Sequence, residues 1–341
     1  MGKSPTTRSM SPNLDLLRSL AVLMVLFDHI CRHFHHDRIG GIAVVDIGFF
    51  GVFLFFVHTS LVLMSSMERS HLRGTALMRN FYIRRFFRIF PLSILVVLAA
   101  VALHLHADGR GLSYGARPGP GELISNLLLT QNLTHSHSIV GPLWTLPLEV
   151  QMYVLLPFLF LWKKRSLTKL LVLWAACAVL GHFPQTIYAL SWFTLLLYIP
   201  NFLPGILAFS LPENRFIPSF LWPPFILLLL TVFVLNPGRQ MAAELCLLLG
   251  LAIPLFKEIS LPAMKFVSHE VAKYSYGIYL GHSFCVWLAL TRFHSWVLLA
   301  LTLVAVPVAL YYTVERPGIR LGVRLADWAS RPRRQAVPAV A

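Results

Sequence analysis

Two residues in the stretch 13–30, NLDLLRSLAVLMVLFDHI, have the types and the spacing for chemistry: Arg18 and His29. They stand eleven residues apart in a helix-length apolar run. At 3.6 residues per turn that is about three turns, which leaves the side chains within roughly 20° of one another and about 16 Å apart along the axis. A charge inside a bilayer costs at least about 2.5–3.5 kcal/mol, so such groups turn to a protein interior or a water-filled cavity. Asp15, three residues before Arg18, is expected to pair with it and offset its desolvation. Asp28 adjoins His29 but points about 100° away, which makes it the weaker candidate partner. One helix face thus carries an acid, a fixed cation and, farther along, a group able to take or give a proton. The bland alternative is a helix pinned at one end by Arg18, with His29 snorkelling outward.

Other polar residues interrupt apolar runs in the same way. Arg84, Arg85 and Arg88 precede Phe90-Pro91. Arginine's planar fork suits phosphate, and this cluster would draw in a nucleotide-bearing polyanion, or simply anchor the chain to acidic lipid. In LWTLPLEVQMYVLLP, Glu149 and Tyr153 lie one turn apart and can meet on one face, either as a working carboxylate or as part of a structural ion pair. In YSYGIYLGH, Ser275, Tyr279 and His282 line a further span, consistent with a polar cavity or with helix–helix hydrogen bonding. His33, His35 and His36, and separately His135 and His137, lack the spacing of a closed metal site, so no metal is expected. His58, on an apolar face, is expected to be satisfied by a neighbour.

The elements that must hold these groups are membrane helices. Of 341 residues, 57% are hydrophobic and 13% charged, and the mean hydropathy is +0.69. These values point to an all-α polytopic transmembrane bundle and exclude an ordinary soluble domain. The net charge of +15 comes in bursts between apolar runs, as membrane topology requires, and does not argue for nucleic acid. Four lone cysteines without a CxxC suggest neither a disulfide framework nor a zinc site. The first apolar run holds four ionisable residues and no small-residue cleavage site follows it, so it is expected to remain as the first span.

About ten spans are expected, near 13–33, 42–64, 87–106, 143–162, 167–182, 186–210, 219–235, 241–256, 272–291 and 295–314. With the N-terminus cytoplasmic, twenty-two Lys and Arg fall inside and six outside, which favours an even number of spans and both ends cytoplasmic. The expected layout is a leader over 1–12, a transmembrane domain over 13–316 and a basic cytoplasmic tail over 317–341. The longest outer connection, about 107–142, reads as a Gly/Pro-rich loop that covers the mouth of a cavity.

Taken together, these blocks resemble the acyltransferase 3 family of integral membrane acyltransferases, which includes bacterial O-antigen and exopolysaccharide O-acetyltransferases. LDLLRSLAVLMVLFDH is similar to the family's opening arginine, ten residues, histidine motif, through Arg18 and His29. GFFGVFLFFVHTSLVL resembles its second span, RRFFRIFPL the RxxR start of its third, and GPLWTLPLEVQMYVLLP its tryptophan-and-glutamate span. SYGIYLGH and ERPGIRLG resemble the closing blocks. There are departures: Phe53 replaces an acid, residues 58–61 replace the family's LSGF, and Asp28 stands where an aromatic or aliphatic residue is common.

The resemblance implies transfer of an acyl group, most simply acetyl from acetyl-CoA, to a hydroxyl of a cell-surface or lipid-linked carbohydrate at a bacterial inner membrane. It implies a donor with its phosphates near Arg84, Arg85 and Arg88 and its arm running past Arg18 toward His29. His29 is then expected as general base, and Glu149 as the group that orients it or receives its proton. A proton- or anion-coupled transporter is the competing expectation, since buried Arg, His and Glu also build ion pathways. Repeated halves of matching pattern, common in transporters, are not evident.

Overall fold

The computed structural model describes residues 11–108, 110–162, 167–181, 183 and 191–330. Helix α1 (Pro12–His33) begins where it does because Ser11 caps it. Its Oγ accepts from the Leu14 N–H at 3.3 Å, and Pro12 occupies a first-turn position whose N–H is not needed. There follow α2 (Val44–Arg69), α3 (Gly74–Ala102), α4 (Pro120–Leu128) and α5 (Leu146–Trp162), the last entered through a 3₁₀ turn over Gly141–Thr145. Next come α6 (Leu167–Leu180), α7 (Ile199–Ser210), α8 (Trp222–Leu235), α9 (Arg239–Ala252) and α10 (Pro262–Val286). A π turn over Trp287–Arg292 leads to α11 (Trp296–Leu310), and another over Tyr311–Glu315 leads to α12 (Arg316–Ser330).

The molecule is therefore mostly helical, and four stretches are long and apolar enough to cross a membrane: Val44–Arg69, Gly74–Ala102, Gly141–Trp162 and Trp296–Ser330. Shorter apolar helices cover Leu167–Leu180, Ile199–Ser210 and Ser219–Leu235. Each of the ten apolar stretches anticipated from the sequence contains a helix.

Two local expectations are corrected, and a third region gains detail. The third span does not start near 87: α3 begins at Gly74, so the arginine cluster rides on a helix whose Leu77 and Phe81 are already buried. The connection over 107–142 is not simply a loop. A hairpin (Leu105–Ala107 with Leu112–Tyr114) and α4 structure it, Pro120 sitting at the start of α4. The tail beyond 316 is helical to Ser330 and lies on α3, with Gly318 and Gly322 admitting Phe87; a Cβ on Gly322 would meet Phe87 Cβ at 2.6 Å.

Helix α1 is sandwiched between α2 and α10. Two glycines of α2 set how closely it approaches. A Cβ at Gly51 would lie 2.6 Å from the Ala21 carbonyl oxygen, and one at Gly48 would lie 2.6 Å from Asp28 Oδ2. This tight crossing fixes the rotation of α1 about its axis, and with it the direction in which Arg18 and His29 point.

Candidate functional site

Three neighbouring hollows run along α1. A chamber of about 90 Å³ is lined by Arg18, Arg85, Arg88, Glu149, Tyr153 and Ser275, among others. It shares Arg18, His58, Val62 and Arg88 with a vestibule of about 520 Å³, where Arg69, Lys273 and His269 add positive or protonatable groups and Asp15 is the acid. Beyond Val52 and Tyr279, which belong to both walls, lies a cavity of about 400 Å³ that contains His29.

In the chamber, Arg18 Nε donates to Ser275 Oγ at 2.5 Å, and Ser275 in turn donates to the Ala272 carbonyl at 2.7 Å. Tyr153 donates its hydroxyl proton to Glu149, one turn away on α5. Arg88 meets the buried carboxylate of Glu315 at 2.7 Å, and its guanidinium lies 5.4 Å from the centre of the Tyr276 ring. Three arginines thus converge on one small space, with Glu149 on its wall and Glu315 bound to Arg88.

In the outer cavity, His29 Nδ1 lies 2.8 Å from the Val25 carbonyl oxygen. A carbonyl can only accept, so Nδ1 carries the proton and Nε2 keeps its lone pair, as a general base requires. The His282 ring packs edge-on against His29 with centroids 4.7 Å apart. Its Nδ1 donates to Ile278 O at 3.0 Å, and its buried Nε2 has no hydrogen-bond partner among the described residues. Asp28 accepts a two-pronged hydrogen bond from Arg32, 2.7 Å to each oxygen, and Arg32 Nη2 reaches to 3.4 Å from His29 Nε2. Phe49, Trp144 and Tyr198 supply an aromatic wall.

The partition between chamber and outer cavity is tied shut by Tyr279. Its hydroxyl donates to Pro142 O at 3.0 Å and shares a 2.7 Å bond with Thr145 Oγ1. On the outer side, the turn of the 105–114 hairpin also reaches the cavity, through Ala107 and Gly111. Burial works against ionisation of Asp108 in that turn. The backbone N–H groups of Arg110 and Gly111, each at 3.0 Å, outweigh it and hold the carboxyl below the ordinary carboxylate range.

Of the residues singled out from sequence, Arg18, Arg85, Arg88, Glu149, Tyr153 and Ser275 are brought together, and Tyr279 joins their chamber to the cavity of His29. Four placements differ from expectation. Asp15 does not pair with Arg18: its Oδ2 meets His269 Nδ1 at 3.0 Å, because α10 sets that imidazole across from it. Arg84 points away to Asp327 of α12, 2.9 Å distant, one position round α3 from Arg85. Glu149 shares the chamber of Arg18 and lines no wall of the cavity that holds His29, so it does not orient the imidazole; the Val25 carbonyl does. Buried Nδ1 of His58 finds no hydrogen-bond partner among the described residues.

Sequence reasoning missed Glu315, Arg32 and the vestibule cations. Glu315 carried a signal, an acid closing an apolar run, as did the i, i+4 spacing of Asp28 and Arg32. Arg69 and Lys273 carried none, because only the packing of α2 and α10 on either side of α1 makes them neighbours.

A family model described as an acyltransferase domain, that of acyltransferase 3, matches residues 11–314. No curated protein and no solved structure matches the chain.

Proposed function

The chain belongs to the acyltransferase 3 family and is an integral membrane acyltransferase, and from that premise we propose that it moves an acetyl group from acetyl-CoA to a hydroxyl of a cell-surface or lipid-linked carbohydrate. The ten apolar helices span a bacterial inner membrane in this reading, with both termini cytoplasmic. The vestibule then faces the cytoplasm. Donor phosphates rest against Arg69, Arg88 and Lys273, and the pantetheine arm carries the thioester into the chamber, where Arg18 and Arg85 hold it.

The acceptor enters the outer cavity, whose aromatic wall suits the apolar faces of a sugar. Its hydroxyl oxygen attacks the thioester carbonyl carbon while its proton passes to His29 Nε2. The carbon–sulfur bond breaks, the coenzyme leaves as thiolate, and the proton held by His29 is returned to it, restoring the imidazole and releasing free thiol. For the two reactants to meet, Tyr279 must let go of Thr145 and Pro142.

The observation that carries this reading is that one face of α1 presents a guanidinium to a basic pocket and, beyond the partition of Val52 and Tyr279, an imidazole with its lone pair outward. Comparing cell-surface glycans by mass spectrometry with and without the protein tests it: one acetyl mass per modified unit is expected only when the protein is present. In His29→Ala, transfer should fall by about 10²–10⁴-fold, the usual contribution of a positioned base, with the protein still folded. Full activity in that variant removes the base assignment, and transport of an unmodified solute in place of a glycan mass change removes the acyl-transfer reading.

A further inference from the structure

The Asp28–Arg32 pair has a geometry that a structural ion pair does not need. The Asp28 side chain is 4% exposed and that of Arg32 21%, and both belong to the wall of the outer cavity, with Arg32 the more open of the two. Both carboxylate oxygens grip the guanidinium, through Nε and Nη2, which fixes the plane of the fork. Helix α2 presses Gly48 against the carboxylate from behind, so Asp28 has no room to swing away. The result is that Nη2 stands 3.4 Å from His29 Nε2, a donor and a lone pair side by side at the cavity wall.

Two such groups cannot make their best bond to each other while Asp28 holds the first and Val25 the second. An oxygen placed between them can bond to both. A hydroxyl suits that place better than any other group, because it accepts from Nη2 and donates to Nε2 at once. We propose that Arg32 is a catalytic residue which binds the acceptor hydroxyl through Nη2, and that Asp28 is the positioning residue that aims it.

The inference rests on the acyl-transfer reading with His29 as base. As His29 takes the hydroxyl proton, negative charge grows on that oxygen, and the adjacent guanidinium offsets it. Fixed donors at developing oxyanions are typically worth a factor of about 10²–10³. Stability does not account for the pair, because buried ion pairs replaced by apolar residues are often neutral or stabilising.

The test measures transfer from radiolabelled acetyl-CoA to cell-surface glycan in membranes holding the full-length protein. In Arg32→Ala, kcat should drop about a hundredfold with the KM for acetyl-CoA unchanged, since the donor sits beyond the Tyr279 partition. Added guanidinium ion should restore part of that loss in Arg32→Ala and none in His29→Ala. Asp28→Asn, which keeps the size and one acceptor oxygen, should show a smaller loss than Arg32→Ala.

Arg32→Ala at wild-type kcat overturns the proposal. So does a loss without guanidinium rescue in which Tm falls and the KM for acetyl-CoA rises, since that is the pattern of a structural brace. If Arg32→Ala fails to fold, the double variant Asp28→Ala with Arg32→Ala leaves no orphaned charge, and its rescue or non-rescue by guanidinium decides. Wild-type membranes that transfer no acetyl overturn the acyl-transfer reading and this inference with it. Active wild type, inactive His29→Ala and active Arg32→Ala overturn this inference alone.

Discussion

Arg18 and His29 illustrate what a single residue can and cannot announce. Their common face followed from helical repeat alone, and the structure keeps both on the walls of hollows along α1. Their partners did not follow, because a partner across the bundle is a matter of tertiary packing. Ser275 and His269 come from α10, some 250 residues away in sequence from the groups they meet. Glu315 is the residue whose loss is best defined. Its carboxylate is buried against Arg88, and removing one member of a buried pair leaves an uncompensated charge. Glu315→Ala should therefore destabilise the protein by about 3–5 kcal/mol, seen as a lower Tm in detergent. Arg88→Met combined with Glu315→Leu should recover most of it, and a double variant as unstable as the single one would refute the pairing account.

At the scale of elements, the α1–α2 crossing governs the site. Because Gly51 faces the Ala21 carbonyl at a separation that admits no side chain, Gly51→Val should force the helices apart. Overpacking of this kind costs about 1–3 kcal/mol, and the displaced α1 would carry Arg18 and His29 out of register. Thermal unfolding together with acetyl transfer checks this: both should decline, and unchanged values would mean that the crossing is slack. The sequence marked α2 clearly as a helix, since it is mostly apolar over a span's length. It could not show which of its glycines would touch α1, because glycine spacing carries no information about the partner. The start of α3 was misplaced for a related reason: its first turns are amphipathic and basic, so a reading tuned to apolar runs found only the second half. The 105–114 hairpin was hidden by its shortness, three residues on each side.

For the whole molecule, composition, mean hydropathy and the spacing of apolar runs made the helical membrane class legible, and block order made the family legible. The division into two hollows was not legible. It arises where the 3₁₀ turn before α5 meets α10, an encounter between segments more than 130 residues apart. Thr145→Val keeps the shape of the side chain and removes the hydroxyl, so the Tyr279 tie should weaken. Release of free thiol from acetyl-CoA without any acceptor present should then rise several-fold over wild type, as followed by a thiol reagent, and an unchanged rate would show that the tie does not govern access. Seen this way, the Tyr279 tie makes the protein thrifty as well as selective. If the proposed transfer from acetyl-CoA to a sugar holds, then while no sugar is docked moisture arriving through the outer cavity is kept from the activated ester, and a cell can hold this machine idle without bleeding fuel.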